Sequence, residues 1–103
     1  MDTSQLEQLV HHTLRQVIDP EIGENIVDLG LVYGEEIIDG TAKITLTMTS
    51  PACPMGEMLL DDIHASLTRA LPPDIDVSIH LVWEPPWDPG MISAEAKQRL
   101  GWN

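Results

Sequence analysis

The chain is poor in cysteine and in positive charge. It has one cysteine, and only 5 Lys and Arg against 17 Asp and Glu, in 103 residues. One cysteine forms no intrachain disulfide, so a secreted, disulfide-built scaffold is excluded. The formal net charge of −12 excludes nucleic acid and anionic membrane surfaces as ordinary partners, because both need Lys and Arg to neutralise phosphates. It permits a basic protein partner. No apolar run reaches membrane-spanning length, and the N-terminus reads as an amphipathic helix rather than a basic-then-apolar leader. The expectation is a cytosolic protein. Hydrophobic content of 43% and charged content of 21% are ordinary for one globular domain, here spanning residues 1–103.

Residues 47–57 are the most informative stretch. The lone Cys53 lies between Pro51 and Pro54. A strand pattern runs into this segment and a helix pattern runs out of it. The first N–H groups of a helix have no intrahelical partner, and the helix dipole favours negative charge there, so a thiolate can be stabilised. Pro54 suits the first helical position, and the two prolines stiffen the turn. The expectation is that Cys53 is a presented thiol rather than a packed one.

Around this stretch the periodicities predict an ordered set of elements. Leu6, Leu9, Val10, Leu14, Val17 and Ile18 place a helix over 4–18, with Ser4 and Glu7 as a capping box and Pro20 as its stop. His11 and His12 read as surface residues, since neighbours on a helix do not face one another. Residues 31–38 and 41–49 read as a hairpin closed by Asp39-Gly40. In its second strand Ala42, Ile44, Leu46 and Met48 take the packed face, and Lys43, Thr45, Thr47 and Thr49 the polar one. A helix over 54–70 follows, with Met55, Met58, Leu59, Ile63, Leu67 and Ala70 buried. A strand over 75–82 then turns Ile75, Val77, Ile79 and Leu81 inward. The right-handed crossover sets it parallel to the strand before the helix. Residues 83–90, with three prolines and a glycine, read as irregular. Ser93 caps a last helix over 93–100, ended by Gly101.

Several residues carry two readings. Asp19 and Glu21, in a turn-rich linker, are either solvated loop residues or groups facing the cysteine turn. Asp28, embedded in an apolar run, must reach water, a backbone N–H or a cation, as a structural cap or as a site residue. Trp83 and Trp87 either close the end of the core or dock a partner, Trp being enriched at interface hot spots.

Four segments in this order, Asp19-Pro20-Glu21, Ile26-Val27-Asp28-Leu29-Gly30-Leu31-Val32, Thr49-Ser50-Pro51-Ala52-Cys53-Pro54, and Pro85-Pro86-Trp87 with 92–101, resemble the metal–sulfur cluster assembly family, which includes SufT-like and PaaD-like factors and eukaryotic cytosolic iron–sulfur targeting factors. The resemblance covers essentially the whole chain. It implies an α+β fold, α-β-β-α-β-α in two layers, with a mixed three-stranded sheet and the helices packed on one face. It also implies assembly or delivery of iron–sulfur clusters to client apo-proteins, together with other assembly factors. The family's reactive cysteine corresponds to Cys53 and its acidic loop residues to Asp19 and Glu21. Thr49 and Ser50 lie beside the cysteine in the family's motif.

One thiolate limits the chemistry. Clusters are generally held by four protein ligands, mostly thiolates, so no cofactor is expected to stay on a monomer. A structural zinc site is excluded on the same count. Three roles stay open: a homodimer sharing iron or a cluster between two Cys53 residues, a transient Cys53–metal contact during hand-over, and a metal-free adaptor. A PaaD-like factor serving one oxygenase system is a narrower version of the same role. A cysteine-nucleophile enzyme needs an oriented base beside Cys53. His64 is eleven residues along the same helix, about 16 Å at 1.5 Å per residue, and an enzyme is not expected.

Overall fold

The computed structural model describes residues 2–19, 22–48 and 56–101. The chain order is α1 (Thr3–Leu14), β1 (Val32–Ile38), β2 (Thr41–Leu46), α2 (Gly56–Ala70), β3 (Asp76–Leu81), a 3₁₀ turn (Pro89–Met91) and α3 (Ala94–Leu100). The α-β-β-α-β-α order is therefore as the sequence predicts, with the 3₁₀ turn as the one regular piece in the proline-rich stretch.

The sheet has three strands in the order β1-β2-β3. β1 and β2 pair antiparallel, with Ile37 opposite Ala42 and Glu35 opposite Ile44. Asp39 and Gly40 both take positive φ, 50° and 74°, as the tight hairpin turn requires. β2 and β3 pair parallel, Ala42 with Val77, Ile44 with Ile79 and Leu46 with Leu81. The sheet is mixed, as expected. α1 packs on α2 and β1, and α2 on β3. Leu14, Ile44, Leu46, Ile63 and Leu67, each essentially without exposed surface, fill the space between the helices and the sheet.

α1 begins and ends earlier than its apolar pattern suggests. Its N-cap is Asp2, which accepts from the Gln5 N–H at 2.8 Å while the Gln5 side chain accepts from the Asp2 N–H at 3.0 Å. The capping box is therefore at 2 and 5, not 4 and 7. After Leu14 the bonds tighten to Gln16 N–Thr13 O and Val17 N–Leu14 O. Ile18 then leaves the helical path into an isolated bridge with Asn25. Pro20 does not stop the helix, and Ile18 is 49% exposed rather than part of the buried stripe. Met58, also expected inside, is 58% exposed, and Leu81 is 38% exposed at the open end of β3. Thr47, assigned to the polar face, is fully buried instead. β2 ends at Leu46, and Thr47 donates its N–H to Leu31 O at 2.9 Å.

Candidate functional site

β2 and β3 finish together at one end of the sheet. β2 exits through Thr47 and Met48, both buried, and α2 starts at Gly56. The chain between them carries Cys53, Thr49 and Ser50, which lie outside the described residues, as does Glu21. The Thr47 hydroxyl is buried with no hydrogen-bond partner among the described residues.

A ladder of backbone hydrogen bonds links this end to the segment after α1. Thr47 N donates to Leu31 O at 2.9 Å, Leu31 N to Ile26 O at 3.1 Å, and Ile26 N to Val17 O at 3.0 Å. Asp19 follows Val17 by two residues and has only 2% of its surface exposed. Its N–H donates to Glu24 O and its carbonyl accepts from Gly23 N, at 2.9 and 2.8 Å. Its carboxylate accepts from Ile22 N at 3.3 Å. Gly23 allows this reversal through its φ of +83°, which L residues rarely adopt. Asp19 is thus a buried carboxylate on a closed loop, not a solvated linker residue.

Asp28 has a different environment. It is 4% exposed and sits between two arginines that are far from it in sequence. Arg15, just past α1, reaches its two oxygens at 3.2 and 3.4 Å, and Arg99 from α3 reaches it at 2.8 Å. Asn25 donates to the same carboxylate at 2.8 Å and accepts from the Asp28 N–H at 2.9 Å. Arg99 also binds Glu24 at 2.7 Å. Burial pushes the Asp28 carboxyl upward, but the hydrogen bonds from Asn25 and Arg99 and the charges of Arg15 and Arg99 outweigh it and hold the group below its ordinary value. This cation-bonded arrangement ties α1, the 25–31 turn and α3 together. No periodicity could have announced it, because its partners are 13 and 71 residues away.

The two candidate tryptophans divide. Trp87 is half-buried against the core and donates its indole N–H to Leu29 O at 2.7 Å. Trp83 is 43% exposed. Around Trp87 the C-terminal segment straps onto residues 28–33: Ser93 N donates to Asp28 O at 2.7 Å and Tyr33 Oη to Pro85 O at 2.7 Å. A side chain at Gly30 would meet Met91 O at 2.5 Å.

The histidines are surface groups. His11 and His12 are exposed, His11 pairing with Glu35 at 2.6 Å and His12 with Gln16 at 2.9 Å. His80 lies on the sheet face away from the helices, 3.0 Å from the Ser78 hydroxyl. A shallow cleft of about 500 Å³ runs along the outer face of α1 beside Glu35 and contains none of the candidate residues among those described. Among the described residues no group of three or more His, Cys, Asp and Glu side chains is arranged to hold a metal ion. No helix of the described residues is long and apolar enough to cross a membrane.

Comparison with known proteins places this arrangement among relatives. A family described as iron–sulfur cluster assembly protein matches residues 7–81. The chain is 41% identical over 97 residues to the Fe–S protein maturation auxiliary factor YitW of Bacillus subtilis, covering 93% of this chain and 94% of the relative. It is 43% identical over 86 residues to the Fe–S protein maturation auxiliary factor SufT of Staphylococcus aureus, covering 82% and 97%. A crystal structure of a domain of unknown function from Bacillus anthracis superposes with a TM-score of 0.89 at 37% identity, covering 98% of this chain and 96% of that one. A conserved hypothetical protein from Thermotoga maritima superposes at 0.81 with 34% identity, covering 98% and 99%.

Proposed function

Because the chain belongs to the iron–sulfur cluster assembly protein family, we propose that it matures iron–sulfur proteins by presenting Cys53 to client apo-proteins at the β2-exit end of its sheet. The observation that supports this reading is the hydrogen-bond ladder that ties Thr47, at the strand end from which the cysteine segment departs, to Val17, two residues before the buried Asp19. In this reading Cys53 is the functional thiol. Asp19 and Glu21 supply carboxylates on one side of it, and Thr49 and Ser50 flank it on its own segment. Asp28 supports the site indirectly, by fixing the turn that leads to Leu31.

The protein acts as a factor rather than an enzyme, in the cytoplasm. Iron or a cluster is cargo, contacted by Cys53 in passing or bridged between two copies. With a single thiolate a monomer lacks the usual four-ligand set, which favours an adaptor that docks clients over a resident cluster carrier.

The test is complementation of cells lacking the gene, reading the activity of several iron–sulfur enzymes. Wild type and His80→Ala restore activity. Cys53→Ala restores it at least tenfold less well at equal protein level. Full rescue by Cys53→Ala overturns the thiol's role, and loss with His80→Ala revives nucleophilic catalysis. A defect confined to one oxygenase system marks a dedicated accessory factor.

A further inference from the structure

Exposed apolar surface collects at the same end of the molecule. Leu46 and Leu81 are parallel partners, and Val82 N donates to Leu46 O at 2.8 Å, so β2 and β3 finish together. α2 carries the chain from this end to the other, where Asp76 N meets Gly40 O at 3.0 Å. The first turn of α2, with Met58, therefore belongs to the β2-exit end. Five large apolar side chains are exposed among the described residues: Ile18, Ile38, Met58, Leu81 and Trp83. Ile38 adjoins the hairpin turn at the far end. Met58, Leu81 and Trp83 lie at the β2-exit end, and Ile18 follows Val17, which the ladder ties to it.

β3 is also an edge strand. It bonds to β2 on one side, and no described strand pairs with the other. An open edge beside exposed apolar side chains is a template for a further strand.

We propose that the outer edge of β3, with Leu81, Trp83 and Met58, docks an extended basic segment of a partner protein, which adds as a fourth strand. The choice of partner rests on the charge around the rim. Glu57 and Asp61 flank Met58 on α2 and Glu84 follows Trp83, all exposed; Asp76 stands at the far end of the same strand edge. Four of the five cations are elsewhere: Arg15 and Arg99 are engaged by Asp28, Arg69 is in the last turn of α2 and Lys97 is in α3; Lys43 alone is close, on β2 opposite Ser78. A second copy would bring carboxylates against carboxylates, whereas a cationic segment neutralises them. That the partner is a client or assembly factor rests on the maturation reading above; the surface itself does not.

The test titrates isotope-labelled protein with a seven-residue peptide alternating Lys with Val and Leu, and with its Glu-for-Lys counterpart, following backbone amide shifts. The Lys peptide moves amides of 76–83 and 56–62, and added salt weakens it. The Glu peptide binds at least tenfold more weakly. Leu81→Lys and Trp83→Lys, both at exposed positions, weaken the Lys peptide at least tenfold, whereas Ile38→Lys leaves it unchanged. Shifts centred elsewhere, equal binding of both peptides, or a β3-mediated dimer that Leu81→Lys dissolves overturns the proposal. In cells, full rescue by Leu81→Lys beside failure of Cys53→Ala sinks the docking surface alone, and the reverse pattern sinks the thiol reading alone.

Discussion

Asp28 shows how far from its neighbours in the chain a residue's partners can lie. Inside Ile26-Val27-Asp28-Leu29 it is a costly charge, and the sequence says only that it needs a partner. The partners come from the end of α1 and from α3, and together they lower its pKa. In the unfolded chain an Asp titrates near about 3.9. With the folded value lower, the stabilisation is fully present above the unfolded value and is lost as pH falls through the folded value. Asp28→Asn should therefore cost about 1–3 kcal/mol at neutral pH, by leaving buried polar groups poorly matched. The lower part of that range is expected, because Arg15 and Arg99 are each nearly half exposed and solvent screens the pair. The deficit should shrink as pH drops below about 4, since protonation removes the same charge from the wild type. Urea unfolding across that range checks both signs. A deficit that does not change with pH would mean that packing, not charge, holds Asp28.

At the scale of elements, the C-terminal strap is the part that local reasoning reached least. The Asp39-Gly40 turn, the parallel third strand and the Ser93-to-Gly101 helix were legible because each is set by residues within a few positions. A tight turn demands positive φ, a strand–helix–strand run demands a right-handed crossover, and a Ser N-cap with a Gly in the left-handed region bounds a helix. The burial of Thr47 was not legible. Alternation assigns it to the polar face, but it lies against Leu31, in the stretch over which the strap closes through Trp87, Met91 and Ser93. Met58 failed in the opposite direction, its apolar side chain left outside because the helix turns Leu59 and Ile63 inward. For the site, the cysteine motif and the acidic loop were visible as family resemblance, while Asp19's closed loop and the two arginines on Asp28 needed coordinates. The strap makes its own prediction. Gly30 has φ +78° and no room for a Cβ beside Met91 O. Gly30→Ala should destabilise the fold by about 2 kcal/mol from backbone strain alone, and more once Met91 is displaced. Trp87 should become more exposed to solvent quenchers at denaturant levels where the far-ultraviolet signal is intact. Concerted loss of both signals would show that the strap is not a separable unit.

For the whole molecule, the balance between one thiol and a net charge of −12 decides what it can hold. Four ligands are the usual requirement of a cluster, and a monomer of this chain brings one thiolate. Two copies bring two, with carboxylates or external thiols completing the shell, but pairing must overcome repulsion between two strongly acidic bodies. That repulsion is screened over about 10 Å at 0.1 M salt, so a cluster-bridged dimer should form more readily as salt rises, whereas a basic client should dissociate. Anaerobic reconstitution with iron and sulfide, followed by desalting, separates the cases. The expected outcome is a monomer by light scattering without a persistent chromophore, since one chain supplies a single thiolate. A chromophore that is lost in Cys53→Ala and that elutes at twice the monomer mass would replace the adaptor reading with a bridging one. A cysteine-dependent chromophore at monomer mass would require ligands from side chains that this fold does not bring together among its described residues.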